Sequence, residues 1–310
     1  MAMAMDAAAH QHGGELEAED PFEWEVRSAT TPFAHHAVAG SCAGIMEHIG
    51  MYPIDTVKTR MQAAVAKERL GALQAARVVV QETSPAGLMR GAMVIGAGCV
   101  PAHVGLFGTY ELTMAKFASK AGKDQHLRTA ACGAAAATVH DIILTPHDVV
   151  KQRLQLGLHR SAWSCVASMF RIEGIAGFYR SLPVTLAMNV PYTGLLVMAN
   201  EALQGLLARS VDTEGQLNSV AMYFGCAGVS GGFAACLTSP LDVLKTRMQT
   251  CPLAEAQAGC KPMFLKLARE EGMRGFFRGV GPRVALAVPS AAMCWGTYET
   301  LRQALLQWLE

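Results

Sequence analysis

The chain has 310 residues, of which 51% are hydrophobic and only 16% charged. Soluble domains carry about a quarter charged residues, so this deficit, with a positive mean hydropathy, excludes an ordinary soluble enzyme, a coiled coil and a disordered chain. The 26 basic and 25 acidic residues leave no global positive field for nucleic acid, and nine cysteines without a C-x-x-C pair read as reduced, buried thiols.

Residues 1–30 hold seven acids and one basic residue, Arg27. That is the reverse of a secretory or transit signal, so a disordered acidic tail with solvated His10 and His12 is expected. Six candidate membrane helices follow, over 28–46, 91–110, 129–144, 181–200, 215–241 and 284–298. The second, fourth and fifth contain no Lys, Arg, Asp or Glu and approach the roughly 20 residues that cross a hydrocarbon core. The third carries Asp141. Ionisable groups inside membrane spans are expensive and face a cavity or a partner, which points to a pathway rather than an anchor.

The chain repeats itself three times. Pro53-Ile54-Asp55-Thr56-Val57-Lys58-Thr59-Arg60-Met61-Gln62 returns as Pro146-His147-Asp148-Val149-Val150-Lys151-Gln152-Arg153-Leu154-Gln155 and as Pro240-Leu241-Asp242-Val243-Leu244-Lys245-Thr246-Arg247-Met248-Gln249. Each copy has an echo, ending Arg90-Gly91, Arg180-Ser181 and Arg278-Gly279. A further proline (Pro101, Pro191, Pro289) precedes a glutamate (Glu111, Glu201, Glu299) by ten residues. Each repeat is expected to be two membrane helices joined by a loop with a short amphipathic helix. The repeat boundaries are 31–122, 123–213 and 214–310, together one transporter domain.

With its P-x-[DE]-x-x-[KR]-x-[KR] motif present three times, the chain resembles the mitochondrial carrier family over about residues 33–308. The resemblance implies an all-α membrane protein: six transmembrane helices in a pseudo-threefold barrel with short matrix helices. It also implies a monomer in the inner mitochondrial membrane that works by alternating access. By the family pattern Asp55 pairs with Lys151, Asp148 with Lys245, and Asp242 with Lys58, forming a matrix gate. Gln62, Gln155 and Gln249 lie four residues past the lysines, on the same face, and are placed to brace the bridges. On the even helices the family pattern is aromatic-acid-x-x-basic. Tyr298-Glu299-Thr300-Leu301-Arg302 matches it, whereas Glu111 and Glu201 lack the basic residue. Three acids sharing Arg302 predict a weak cytosolic gate and a resting preference for opening on that side. Gly91, Ser181 and Gly279 begin even helices, where free N–H groups favour phosphate, and the resemblance implies bound cardiolipin there. Gly40-x-x-x-Gly44, Gly133-x-x-x-Ala137 and Gly228-x-x-x-Gly232 permit close helix packing.

Cargo choice must lie where the repeats differ. Five residues before the odd-helix prolines stand His48, Asp141 and Ala235; two before the even-helix prolines stand Cys99, Asn189 and Ala287; two after them stand His103, Thr193 and Ala291. The first two repeats carry polar or metal-capable groups, and the third carries alanine throughout. A lone membrane histidine is ordinarily a hydrogen-bonded packing residue. Here two histidines, an aspartate, a cysteine and Met188 gather in one inferred cavity. Imidazole, thiolate, thioether and carboxylate suit a borderline metal such as Fe²⁺ better than an anionic metabolite, which would call for Arg or Lys. Glu47 and His140, each one residue off the cavity face, are expected to be interhelical hydrogen bonders. Cys251 and Cys260, bracketing a loop, are a weak metal signal.

Glu47-His48, Pro101-Ala102-His103, Met188-Asn189-Val190-Pro191 and Pro289-Ser290-Ala291-Ala292-Met293-Cys294-Trp295 are similar to the mitoferrins, the iron carriers of that family. The resemblance implies Fe²⁺ as cargo for haem and iron–sulfur synthesis, no permanently bound cofactor, and a path through His48, His103, Met188 and Asn189, with Cys99 and Asp141 assisting. The chain departs from the subfamily at Cys99-Val100 and at Phe224, where some members have a further histidine. Another transition metal, an organic cofactor such as S-adenosylmethionine, and a non-transporting scaffold are the alternatives. No nucleophile–base set or nucleotide loop argues for an enzyme.

Overall fold

A computed structural model describes residues 33–64, 71–117, 125–207, 216–251 and 258–307. The acidic segment 1–30 lies outside the described residues. All regular structure among them is helical. Repeat one contains α1 (Phe33–Gly50), α2 (Tyr52–Ala63), α3 (Ala72–Thr83), a 3₁₀ turn (Pro85–Met89) and α4 (Ala92–Phe117). Repeat two contains α5 (Gln125–Gln155), α6 (Ala162–Ile172), α7 (Gly174–Tyr179) and α8 (Leu182–Leu207). Repeat three contains α9 (Gln216–Thr250), α10 (Cys260–Glu270), a 3₁₀ turn (Met273–Phe277) and α11 (Val280–Gln307).

The odd-helix prolines act differently in the three repeats. Proline lacks an N–H and clashes with the carbonyl four residues back, so it interrupts the helical ladder. In repeat one the helix breaks, with Met51 capping α2 and Pro53 in its first turn. Pro146 and Pro240 instead lie inside α5 and α9, which continue through them. There Thr145 donates to the Asp141 carbonyl and Ser239 to the Ala235 carbonyl, each four residues back, a bond that bends a helix without ending it.

The long helices close into a ring in the order α1, α4, α5, α8, α9, α11 and back to α1. Small residues set the spacing, as expected where helices pack by contact rather than by hydrophobic exclusion. A methyl group added at Gly228 of α9 would land 1.9 Å from Val288 Cγ2 of α11. One at Gly98 of α4 would land 2.6 Å from the His147 ring of α5. Gly133, expected at a close contact, has nothing within 4 Å of such a methyl. The seam between α1 and α11 is closed by His36 Nδ1 and the Tyr298 hydroxyl, 2.8 Å apart, with the Phe107 ring tilted against the histidine at a centroid distance of 4.2 Å.

Three segments, Pro85–Phe117, Gly174–Asn200 and Gly225–Thr250, are long and apolar enough to cross a membrane. The other three rods of the ring are interrupted or charged: α1 stops at Gly50, and α5 carries Asp141, Asp148, Lys151 and Arg153. Met93 of α4, Val190 and Met198 of α8 and Val229 of α9 are exposed apolar side chains. The short helices α3, α6 and α10 cross the end of the ring where the prolines lie, each burying one stripe: Ala75 and Val79, Cys165 and Met169, Met263 and Leu267. Burial pushes the Cys165 thiol up to about 11, so it is an inert packing group.

Candidate functional site

Beyond the prolines, α2, α5 and α9 each present an aspartate and, three residues later, a lysine to the ring interior. Lys151 Nζ lies 2.8 Å from Asp55, Lys245 Nζ 2.8 Å from Asp148 and Lys58 Nζ 2.9 Å from Asp242. Two glutamines reinforce their neighbours: Gln155 Nε2 donates to Asp55 (3.0 Å) and Gln62 Nε2 to Asp242 (2.7 Å). Arg283 of α11 stands 3.3 Å from Asp242 as a second cation and also donates to Thr238.

Gln249 departs from the expected brace. Its Nε2 donates to the Ser181 hydroxyl at 2.8 Å, not to Asp148. The cause is local. Gly91 and Gly279 take left-handed backbone, φ 89° and 73°, which a side chain resists. Ser181 follows Arg180 in right-handed geometry, so repeat two makes the α7 turn where the others make 3₁₀ turns, and the serine hydroxyl meets the glutamine. Asp148 and Lys245 therefore hold each other without a glutamine. Hydrogen bonds to charged groups contribute about 1.5–3 kcal/mol. Gln62→Ala and Gln155→Ala are expected to lower the melting temperature in detergent more than Gln249→Ala does. A Gln249→Ala loss as large as the other two would contradict this asymmetry.

Sequence reading missed a second charged layer. The last basic residue of each motif reaches a glutamate at or just after the C-terminal end of the short helix in its own repeat: Arg60 to Glu82 (2.8 Å), Arg153 to Glu173 (2.5 Å) and Arg247 to Glu271 (2.8 Å). Arg180 and Arg278, from the echoes, grip the same Glu173 and Glu271. These arginines also cap helix ends. Arg247 Nε donates to the Gln62 carbonyl at 2.6 Å, and Arg247 and Arg278 both donate to the Ala64 carbonyl, at the C-terminus of α2. Arg153 does the same for α9 through the Gln249 carbonyl. The available signal was the Glu-Gly pair at 173–174 and 271–272. In repeat one Thr83 takes that place, under Gly87, and Glu82 is half exposed.

Nearer the ring's middle, His48 of α1 is half buried. His103 is buried, with Nδ1 2.8 Å from the Cys99 carbonyl. A carbonyl only accepts, so Nδ1 carries the proton and Nε2 presents a lone pair. Asp141 accepts a 2.6 Å bond from Asn189 Nδ2, joining α5 to α8. Met188 is buried with its sulfur 3.9 Å from Arg283 Nη2. Cys99 corrects the expectation: its thiol is fully buried among Tyr52, Ile95 and Leu144, because its face of α4 is the packing seam. Its contribution is the backbone carbonyl under His103. Among the described residues no three His, Cys, Asp or Glu side chains close on a metal ion. Cys251 and Cys260 are free thiols packed beside Met248 and Met263. Glu111 is described, but the side chains of Glu201, Glu299 and Arg302 lie outside the described residues.

The His103 ring rests on bare backbone: a methyl at Gly44 would fall 2.4 Å from its Cε1. Gly44→Ala is expected to push the imidazole off the Cys99 carbonyl and weaken any metal binding through Nε2. Co²⁺ titration of the purified variant checks this, and unchanged affinity would contradict it.

The sequence profile described as Mitochondrial carrier protein matches residues 29–121, 122–211 and 216–308. Relatives include Mitoferrin of Dictyostelium discoideum, 33% identical over 86% of this chain and 92% of that protein. Mitoferrin-1 of Homo sapiens is 32% identical over 98% of this chain and 93% of its own length. Mitochondrial RNA-splicing protein MRS4 of Saccharomyces cerevisiae is 31% identical over 94% and 98%.

Proposed function

The chain belongs to the mitochondrial carrier family, and from that premise we propose that it carries Fe²⁺ across the inner mitochondrial membrane into the matrix, supplying haem and iron–sulfur synthesis. The observation that carries the reading is the donor set between the ring's two ends: His48, His103, the Asp141–Asn189 pair and Met188, with the nearby cation Arg283 engaged by Asp242. Imidazole and carboxylate are ligands for a borderline divalent metal, while a nucleotide or keto acid needs a free cation. The mitoferrin relatives support the same choice by name.

On this reading six spans form the barrel and a monomer is the working unit. Fe²⁺ exchanges part of its water shell for one or two protein ligands at a time. Weak, successive coordination lets it leave. The Asp–Lys ring is the matrix gate, and the three closed bridges support a resting state open to the other side. Opening requires all three pairs to separate, and the unbraced Asp148–Lys245 pair is the easiest to break. Gly91, Ser181 and Gly279 mark the cardiolipin positions.

Reconstituted into liposomes, the protein is expected to accumulate Fe²⁺ under reducing conditions and to leave ADP and keto acids outside. Absence of iron uptake would remove the proposal. Uptake of Mn²⁺ or Cu⁺ without Fe²⁺ would redirect it to another metal.

A further inference from the structure

His140 stands one residue off the cavity face in a helical projection, yet its ring lies against His103, with centroids 5.3 Å apart and planes at 83°. Its Nδ1 is 3.4 Å from Asp141 Oδ1. The other carboxylate oxygen, Oδ2, is held by Asn189. An ionised carboxylate only accepts, so this long contact favours a proton on His140 Nδ1 and a lone pair on Nε2, as the Cys99 carbonyl does for His103. A carboxylate behind one imidazole and a carbonyl behind the other is the arrangement that orients metal-binding histidines. The His140 side chain keeps about a fifth of its surface exposed, whereas His103 is seated on Gly44.

We propose that His103 and His140 form a two-imidazole station for the metal between α4 and α5, with Asp141 as the group that orients His140. The inference rests on the iron reading, and it changes the part played by Asp141: the carboxylate acts through His140 and is itself steered by Asn189 from α8. Two protein ligands leave the remaining positions to water. That is compatible with the absence of a closed three-ligand site among the described residues, and with a cargo that must be released.

The test uses the full-length protein purified in detergent with Co²⁺ as the probe. Wild type is expected to give a Co²⁺ absorption spectrum that weakens in His140→Ala, and to bind about ten- to a hundredfold more tightly than Asp141→Asn. His140→Cys should add a sulfur-to-cobalt charge-transfer band over the wild-type background, and His103→Ala/His140→Cys should lose it. A packing histidine would produce no such band, even if His140→Ala were poorly folded. Wild-type Co²⁺ affinity in His140→Ala, or no new band in His140→Cys, overturns the station. Fe²⁺ uptake by wild type in liposomes separates the two claims. Uptake without the cobalt effects sinks the His140 assignment alone, whereas absent uptake sinks the transport reading and leaves the spectra to decide the site.

Discussion

Asp242→Asn is expected to abolish iron uptake and to lower the melting temperature further than Asp55→Asn or Asp148→Asn. Asp242 is the most heavily used carboxylate of the ring, receiving Lys58 at 2.9 Å, Arg283 at 3.3 Å and Gln62 at 2.7 Å. Asp55 has one lysine and one glutamine, and Asp148 one lysine. Removing one partner of a buried pair costs about 3–5 kcal/mol, because the other charge is left without compensation. Here two cations would be left facing each other. Charge reversal separates the bridges further. Exchanging Asp148 and Lys245 should recover part of the lost uptake, while exchanging Asp242 and Lys58 should not, since Arg283 would then face a lysine. Melting curves and liposome uptake measure both effects. Equal rescue at the two bridges would remove Arg283 from the gate.

The second large effect is expected at the histidines. His48→Ala and His103→Ala should each reduce Fe²⁺ uptake about ten- to a hundredfold, the range seen when the environment of a metal ligand is lost, with little change in melting temperature for His48, which is only half buried. Cys99→Ala is the control. Its thiol packs on Tyr52 and Leu144, away from the path, so uptake should stay near wild type. Normal uptake in both histidine variants, or loss in Cys99→Ala, would move the path elsewhere.

The repeated motif placed Asp and Lys three apart on one helix face, and the resemblance to the carrier family supplied which lysine meets which aspartate. Gln249 shows the limit of that logic. Its place in the motif is the same as that of Gln62 and Gln155, and its partner was decided by a serine in a different loop 68 residues away. Cys99 shows a related limit: spacing of four from His103 puts both on one face, and both are buried there, the thiol among Tyr52, Ile95 and Leu144 and the imidazole on Gly44. His140, expected to make interhelical contacts, does lie against His103 of the neighbouring long helix, a contact that an α-carbon projection alone does not name. The arginine–glutamate layer was not legible because its glutamates, Glu82, Glu173 and Glu271, lie outside both the proline motif and its echo.

The His36–Tyr298 contact joins residues 262 positions apart. A ring sealed by its first and last helices has no finished wall until the final segment has been made, so α1 must wait with one side uncovered while the rest of the chain is produced. Contacts of such large sequence separation form late, after the entropy of closing the whole loop has been overcome. The waiting surface, small residues and a buried imidazole on α1, is where a truncated or stalled chain would meet a chaperone or a neighbouring copy. Loss of α11 would thus uncover one side of α1.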